Sequence, residues 1–258
     1  MTAHLPPTVD RGPSVASLLG QWSGEDVFVV GTGTSLIGFD YHRLEGKRTI
    51  ALNDAASLFR PSIWLFSDHD LWQKYRGVEI PADQVVVCQE MTRDHLRREG
   101  GCKWVDQVIW FTRTPDMHKA NVDKRDADPL VLADTARTDP ANLLCVHRTV
   151  ATGGITLAWK LGARRIFLLG VDAYRLAQSY YSNGKRHRKA DKIIRDVDGI
   201  YFESRHDSWV EDMRNLRLRL NAAGVYREPF PGSGVYNLSP MSKIDSWQKV
   251  DMNLVLPQ

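Results

Sequence analysis

The chain has 258 residues, 43% of them apolar and 25% charged, which suits one large globular α/β domain and excludes a disordered or fibrous protein. Its 34 Lys/Arg against 31 Asp/Glu leave a net charge of +3, too even to point to any partner. No apolar run approaches ~20 residues, so no membrane-spanning helix is expected. The three scattered cysteines, Cys88, Cys102 and Cys145, form neither a disulfide framework nor a metal clip, and the expected location is the cytoplasm.

Residues 1–24 read as a leader followed by a short helix. Pro6, Pro7 and Pro13 discourage helix at its start, and the continuous apolar stretch of a signal peptide is missing. Residues 25–258 read as a single α/β domain. Seven short apolar runs follow one another: 27–30, 49–52, 62–66, 84–88, 107–111, 142–146 and 165–171. Their continuous rather than alternating hydrophobicity predicts strands buried on both faces, as in a mostly parallel sheet. Helical segments are expected between them, at 92–100 and at 153–163, the latter stopping at Gly162. The alternation predicts a doubly wound sheet in a three-layer sandwich. Residues 173–205 break the pattern, being polar and rich in Tyr, Arg and Lys. They predict a lid-like excursion at the carboxyl end of a strand, ahead of a helix over 207–224.

In an open α/β sheet ligands bind beyond the carboxyl ends of the strands, and the residues there decide the chemistry. After the first strand comes Gly31-Thr32-Gly33-Thr34-Ser35. Its glycines permit close backbone approach, and its hydroxyl and N–H groups can bond a phosphate or ribose. Asn53, at the end of the second strand, either reads a nucleotide edge or caps a helix. Asp68-His69-Asp70 either supplies a pair of carboxylates for a divalent ion or lets Asp68 cap a helix beginning at Leu71. Asp172 ends a later strand, and Tyr174 and Tyr180 can donate hydrogen bonds to a leaving phosphate. His206 is a candidate general base. Lys185, Arg186 and Arg188 belong to a basic run, either a solvated surface or a phosphate contact, and Arg148 is a further candidate for acceptor or phosphate contact.

Taken in order, these residues resemble the bacterial CMP-sugar-dependent sialyltransferases and their phage-encoded and methylpterin diphosphokinase-like relatives. Gly31-Thr32-Gly33-Thr34-Ser35-Leu36 with Asp40-Tyr41 matches the family's opening turn, with Thr32 where the family has Asn. Asn53 matches an Asn that touches the nucleotide. Gly170-Val171-Asp172-Ala173-Tyr174, Tyr180 six residues on, His206 and the closing stretch 236–245 complete the set. The resemblance implies a glycosyltransferase that moves a sugar from a nucleotide-activated donor to an acceptor hydroxyl with inversion. His206, Tyr174 and Tyr180 would be catalytic; Gly31, Thr32, Gly33, Ser35, Asn53, Asp68, Thr152, Gly153 and Asp172 would bind the nucleotide. The implied acceptor is a glycan or a hydroxymethylated base in phage DNA, and homo-oligomerisation stays open. No cofactor is required on this reading. The phosphotransferase relatives imply the alternative, a Mg-dependent phospho- or pyrophosphotransferase with Asp68 and Asp70 as metal ligands. Backbone contact and base stacking by the basic run beside Tyr180 would suit a nucleic-acid acceptor.

Overall fold

The computed structural model describes residues 13–90, 102, 104–113, 140–146, 148–173, 175–176, 193–197, 200–224 and 228–257. For 69–70, 140, 175–176, 193–197 and 200–206 only the backbone is described. The expected leader up to residue 12 and the helix at 92–100 lie outside these residues. So do Tyr174, Tyr180, Lys185, Arg186 and Arg188.

The main sheet is built from β1 (Asp26–Val30), β2 (Arg48–Leu52), β3 (Ile63–Phe66), β4 (Val85–Gln89), β5 (Val108–Arg113), β6 (Leu143–Leu144), β7 (Arg165–Leu169), β11 (Gly234–Asn237) and β12 (Gln248–Lys249). Their order is β12-β11-β7-β1-β2-β3-β4-β5-β6, and every pairing is parallel. The chain winds outward from β1 through β6, then returns to lay β7 on the other side of β1. The topological switch therefore falls between β1 and β7.

The continuous apolar runs are strands because both faces are covered. In β1, β2 and β7 the last four of five residues are buried. Alternate side chains Val27, Val29, Ile50, Leu52, Ile166 and Leu168 meet α2 (Val150–Lys160) and α3 (Ser204–Ala222) in one core layer. Phe28, Val30, Ala51, Phe167 and Leu169 face the opposite layer, with Leu36, Leu44 and the C-terminal Val250 and Leu256. A third cluster sits under α1 (His69–Tyr75), where Trp64, Phe66, Trp72, Trp104 and Trp110 pack together. Fully burying one such side chain stabilises by ~1.5–3 kcal/mol, against ~0–1 kcal/mol for a surface ion pair such as Arg60–Asp83. The sheet layers therefore dominate the stability.

Boundaries differ from the sequence expectations in specific ways. The run 142–146 yields only a two-residue strand, because Val146 N–H turns back onto the Leu144 carbonyl at 2.9 Å. Helix α2 starts at Val150 rather than 153, since the Thr149 hydroxyl accepts from Ala151 N–H and caps it there. It ends before Gly162, which takes φ +91°. Helix α3 begins at Ser204, three residues early. It buries Val210, Met213, Leu216 and Leu220 at helical spacing, while Leu218 is 66% exposed on the other side. The first residues of the protein to be described are packed: Val15, Leu18 and Trp22 are buried in the core layer that holds α2.

The excursion after β7 carries a small antiparallel sheet of its own, β8 (Arg175–Leu176), β10 (Ile200–Glu203) and β9 (Ile193–Val197), in the order β8-β10-β9. The polar composition of 173–205 gave no expectation of strands there. Strands β11 and β12 also escape notice in the sequence, being four and two residues long.

Candidate functional site at the switch point

The loops after β1 and β7 interlock at the carboxyl edge of the sheet. Gly31 N–H donates to the Leu169 carbonyl and Gly33 N–H to the Gly170 carbonyl, both at 2.8 Å. Ser35 N–H then donates to Asp172 Oδ2 at 2.8 Å, and Ser35 Oγ–H to Oδ1 at 2.7 Å. Alternate N–H groups of the turn are thus taken up by β7 and its loop. Those of Thr32 and Thr34, between them, make no hydrogen bond among the described residues, and the buried Thr34 Oγ1 has no partner.

The two glycines are needed for this close approach. A Cβ on Gly31 would sit 2.5 Å from the Gly170 carbonyl oxygen. One on Gly33 would sit 2.6 Å from the same oxygen and against the Asp172 carboxylate. Asp172 itself is 3% exposed. Burial pushes its carboxyl above the usual carboxylate range, while the hydrogen bonds from the Ser35 N–H and hydroxyl act the other way. Ser35 and Asp172, expected as nucleotide contacts, satisfy each other instead, and their polar atoms form the floor of the crevice.

The loop after β11 closes one side. Ser242 Oγ donates to the Asp172 carbonyl at 3.0 Å, and Lys243 N–H donates to the same carbonyl at 3.0 Å. Lys243 Nζ lies 3.7 Å from Asp207 Oδ1, in the first turn of α3. This brings the backbone of His206 to the same edge. His206 lies inside α3 rather than ahead of it, because the helix starts at Ser204. Stretch 236–245 stands out in the sequence, but Ser242 and Lys243 carry no assignment there. Their partner, Asp172, is about 70 residues away, a pairing that no local pattern shows.

On the other side of β1, Asn53 follows β2 with φ +52°, one of two non-glycine residues of positive φ among those described; the other is Ala173, φ +53°, beside Asp172. Backbone strain of this kind concentrates at functional sites. Asn53 is half-buried, its Oδ1 has no partner, and its carbonyl accepts from Trp64 Nε1–H at 2.8 Å. The next residue, Asp54, accepts from Tyr75 Oη at 2.6 Å and from Lys74 Nζ.

Several expected contacts are placed elsewhere. Thr152 is fully buried in α2 and its hydroxyl donates to the Thr149 carbonyl at 2.8 Å. Gly153 lets α2 close on its neighbours, since a Cβ there would meet Val146 Cγ2 at 2.5 Å. Both are explained by packing. Arg148 pairs with Asp212, 1% exposed, at 2.8 Å and with Glu211 at 3.2 Å. Those hydrogen bonds, that to Asp212 above all, hold its guanidinium further in the charged form. It ties the start of α2 to α3. Asp68 occupies the N-cap position of α1, which begins at His69 and not Leu71, without a capping bond from its side chain. No group of three or more His, Cys, Asp or Glu that could hold a metal occurs among the described residues, which exclude the Asp70 side chain.

A cleft of about 420 Å³ lies between α3 and the amino ends of β11 and β12, lined by Arg217, Asn221, Glu228, Tyr236, Trp247 and Gln248. It opens away from the switch point and shares none of the residues above.

The fold is that of a doubly wound α/β protein whose topological switch, the place where such sheets commonly bind ligands, lies between β1 and β7. No protein-family model and no curated protein matches the sequence. Among solved structures, the chain is similar to the sialyltransferase CstII from Campylobacter jejuni in complex with the substrate analogue CMP-3FNeuAc. The identity is 16% and the TM-score 0.47, over 89% of this chain and 87% of that one. It is likewise similar to CstII with cytidine-5'-monophosphate, at 16% identity and TM-score 0.45 over 90% of this chain and 87% of that one. The same sialyltransferase with trisaccharide acceptor and CMP gives 15% identity and 0.47, over 89% and 87%.

Proposed function

We propose that the protein is a glycosyltransferase that moves a sugar from a nucleotide-activated donor, CMP-linked, to a hydroxyl of a glycan acceptor. The observation that carries this reading is the crevice at the β1/β7 switch. Its floor is internally satisfied by Ser35 and Asp172, whereas Thr32 and Thr34 N–H and Thr34 Oγ1 on its glycine turn are left without partners, as is Asn53 Oδ1 at the end of the neighbouring β2. Unpaired donors on a glycine turn suit phosphate oxygens, and an unpaired amide oxygen suits the donor edge of a base or sugar. The motif resemblance supplies the CMP-linked form of the donor.

In this proposal the acceptor hydroxyl oxygen attacks the anomeric carbon while His206 takes its proton. The bond from that carbon to the phosphate oxygen breaks, and the departing phosphate leaves with the electron pair, with inversion. Tyr174 and Tyr180 donate hydrogen bonds to it. Removing one such donor costs ~10²–10³ in rate, and a positioned His base contributes ~10²–10⁴. The expected lid role of the stretch 173–205 would be to keep water from the anomeric centre. The reaction runs without a metal, because the developing phosphate charge is met by phenols.

The test is transfer from a CMP-activated sugar to a glycan, with EDTA present, for the wild type, His206→Ala and Tyr180→Phe. We expect transfer with inverted configuration in the wild type and losses of at least ~10²-fold in both variants. Undiminished transfer in both variants, or retention of configuration, overturns the assignment. Activity that appears only with ATP and Mg²⁺ moves the protein to the phosphotransferase class, and transfer to hydroxymethylated DNA alone replaces the acceptor.

A further inference from the structure

We infer that Trp64 is a positioning residue for Asn53, holding it in a left-handed conformation that it would otherwise leave. The inference rests on the reading above in which Asn53 touches the nucleotide. Asparagine tolerates φ near +50° better than other side chains, but the conformation still costs energy and persists only where surroundings impose it. Here two struts impose it. Trp64 Nε1–H donates to the Asn53 carbonyl at 2.8 Å, fixing the peptide plane that follows the strained residue. Asp54, at the other end of that peptide, is pinned by Tyr75 Oη at 2.6 Å and by Lys74.

The struts are themselves rigid. Trp64 is 4% exposed and packs against Phe66, Tyr75 and Trp104 with ring centroids 4.8, 5.1 and 5.6 Å away. Tyr75 meets Trp64 edge-on, so the two struts brace each other. A tryptophan buried on both sides could be explained by packing alone. Its one polar atom, however, is directed at the carbonyl of the one non-glycine residue of positive φ on that side of the switch among the described residues, whose own Oδ1 has no partner. Packing does not require that pairing. A site that must present an amide without collapsing onto its own backbone does.

The test is titration calorimetry with CMP on the wild type, Trp64→Phe, Asn53→Ala and the double variant, with Tyr75→Phe as a second route that removes only a hydroxyl. Loss of one positioning hydrogen bond should weaken CMP by about five- to tenfold in Trp64→Phe and by less in Tyr75→Phe. In the Asn53→Ala background neither substitution should weaken CMP further. A structural effect of losing the indole would persist there, so this coupling separates positioning from stability. Hydrogen exchange at 53–57 should also rise in Trp64→Phe. Wild-type affinity in both Trp64→Phe and Tyr75→Phe, beside a weakened Asn53→Ala, overturns the positioning role alone, as do effects that add in the double variant. Wild-type affinity in Asn53→Ala, or no CMP binding by the wild type, overturns the nucleotide reading and the positioning role with it.

Discussion

The Asp172 carboxylate accepts both the N–H and the hydroxyl of Ser35, 137 residues earlier in the chain, at 2.8 and 2.7 Å. This pairing joins the loops after β1 and β7, so it sets the width of the crevice between them. Asp172→Asn is nearly isosteric. Its Oδ1 can accept from Ser35 N–H, and its amide can donate to Ser35 Oγ once that hydroxyl rotates. The variant should fold and keep its nucleotide affinity, whereas Asp172→Ala leaves the part-buried Ser35 N–H without this partner and costs ~1–3 kcal/mol. Urea unfolding of the two variants compares these outcomes.

The same residue gives a pH signature. Its carboxyl is raised in the folded protein, chiefly by burial. The folded state therefore binds the proton more tightly than the unfolded one. The stabilisation this confers is full below the ordinary carboxylate value and is lost as pH rises through the raised one. Other carboxylates contribute equally to wild type and Asp172→Asn and cancel in the difference. The stability of wild type minus that of Asp172→Asn should fall as pH rises above the ordinary carboxylate value of about 4. A level difference there would place the carboxyl in an ordinary setting.

Two glycine substitutions separate close approach from backbone strain. Gly33→Ala puts a methyl against Asp172 and the Gly170 carbonyl, neither of which can withdraw without breaking the crevice floor. It should cost ~2–3 kcal/mol and reduce nucleotide binding. Gly38→Ala, five residues further along the same connection, has φ +78° but open space where its Cβ would sit. It should cost about 1 kcal/mol and leave binding intact. Thermal denaturation with and without nucleotide reads both.

Arg148 supplies a contrast between a structural and a ligand role. Removing it takes the guanidinium away from the buried Asp212 carboxylate, which still accepts from the main-chain N–H of residue 148 at 3.0 Å. Because Arg148 is 34% exposed, Arg148→Ala should cost about 2–3 kcal/mol rather than the ~3–5 kcal/mol of a fully enclosed pair. Adding Asp212→Leu should restore much of that loss. If the double variant regains stability and also transfers sugar normally, Arg148 serves the helix pair; if it is stable but inactive, Arg148 meets the substrate.

The parallel sheet was legible because β1, β2, β3, β4, β5 and β7 are apolar without alternation, which only two-sided burial explains. The glycine turn and Asn53 were legible as residues that belong at a strand's carboxyl end. What a linear reading misses is pairing at a distance. Nothing near Ser35 announces that Asp172 will take its donors, and nothing near Thr152 or Arg148 shows that one is buried and the other salt-bridged. Strands β8 to β12 were missed for a different reason. They are short and mixed in polarity, and are held by neighbours rather than by their own pattern.

The central claim is that the β1/β7 crevice binds a nucleotide, and thermal unfolding with CMP, UDP, GDP and ATP tests it most directly. Each nucleotide is added with Mg²⁺ and again with EDTA. A ligand at about 100 times its Kd stabilises the fold by ~2.7 kcal/mol, a shift of roughly 5 °C or more for a chain of this size. The account predicts that CMP gives the largest shift, equal in Mg²⁺ and EDTA, and that Asn53→Ala diminishes it. No shift with any nucleotide, or a shift confined to ATP with Mg²⁺, would contradict it.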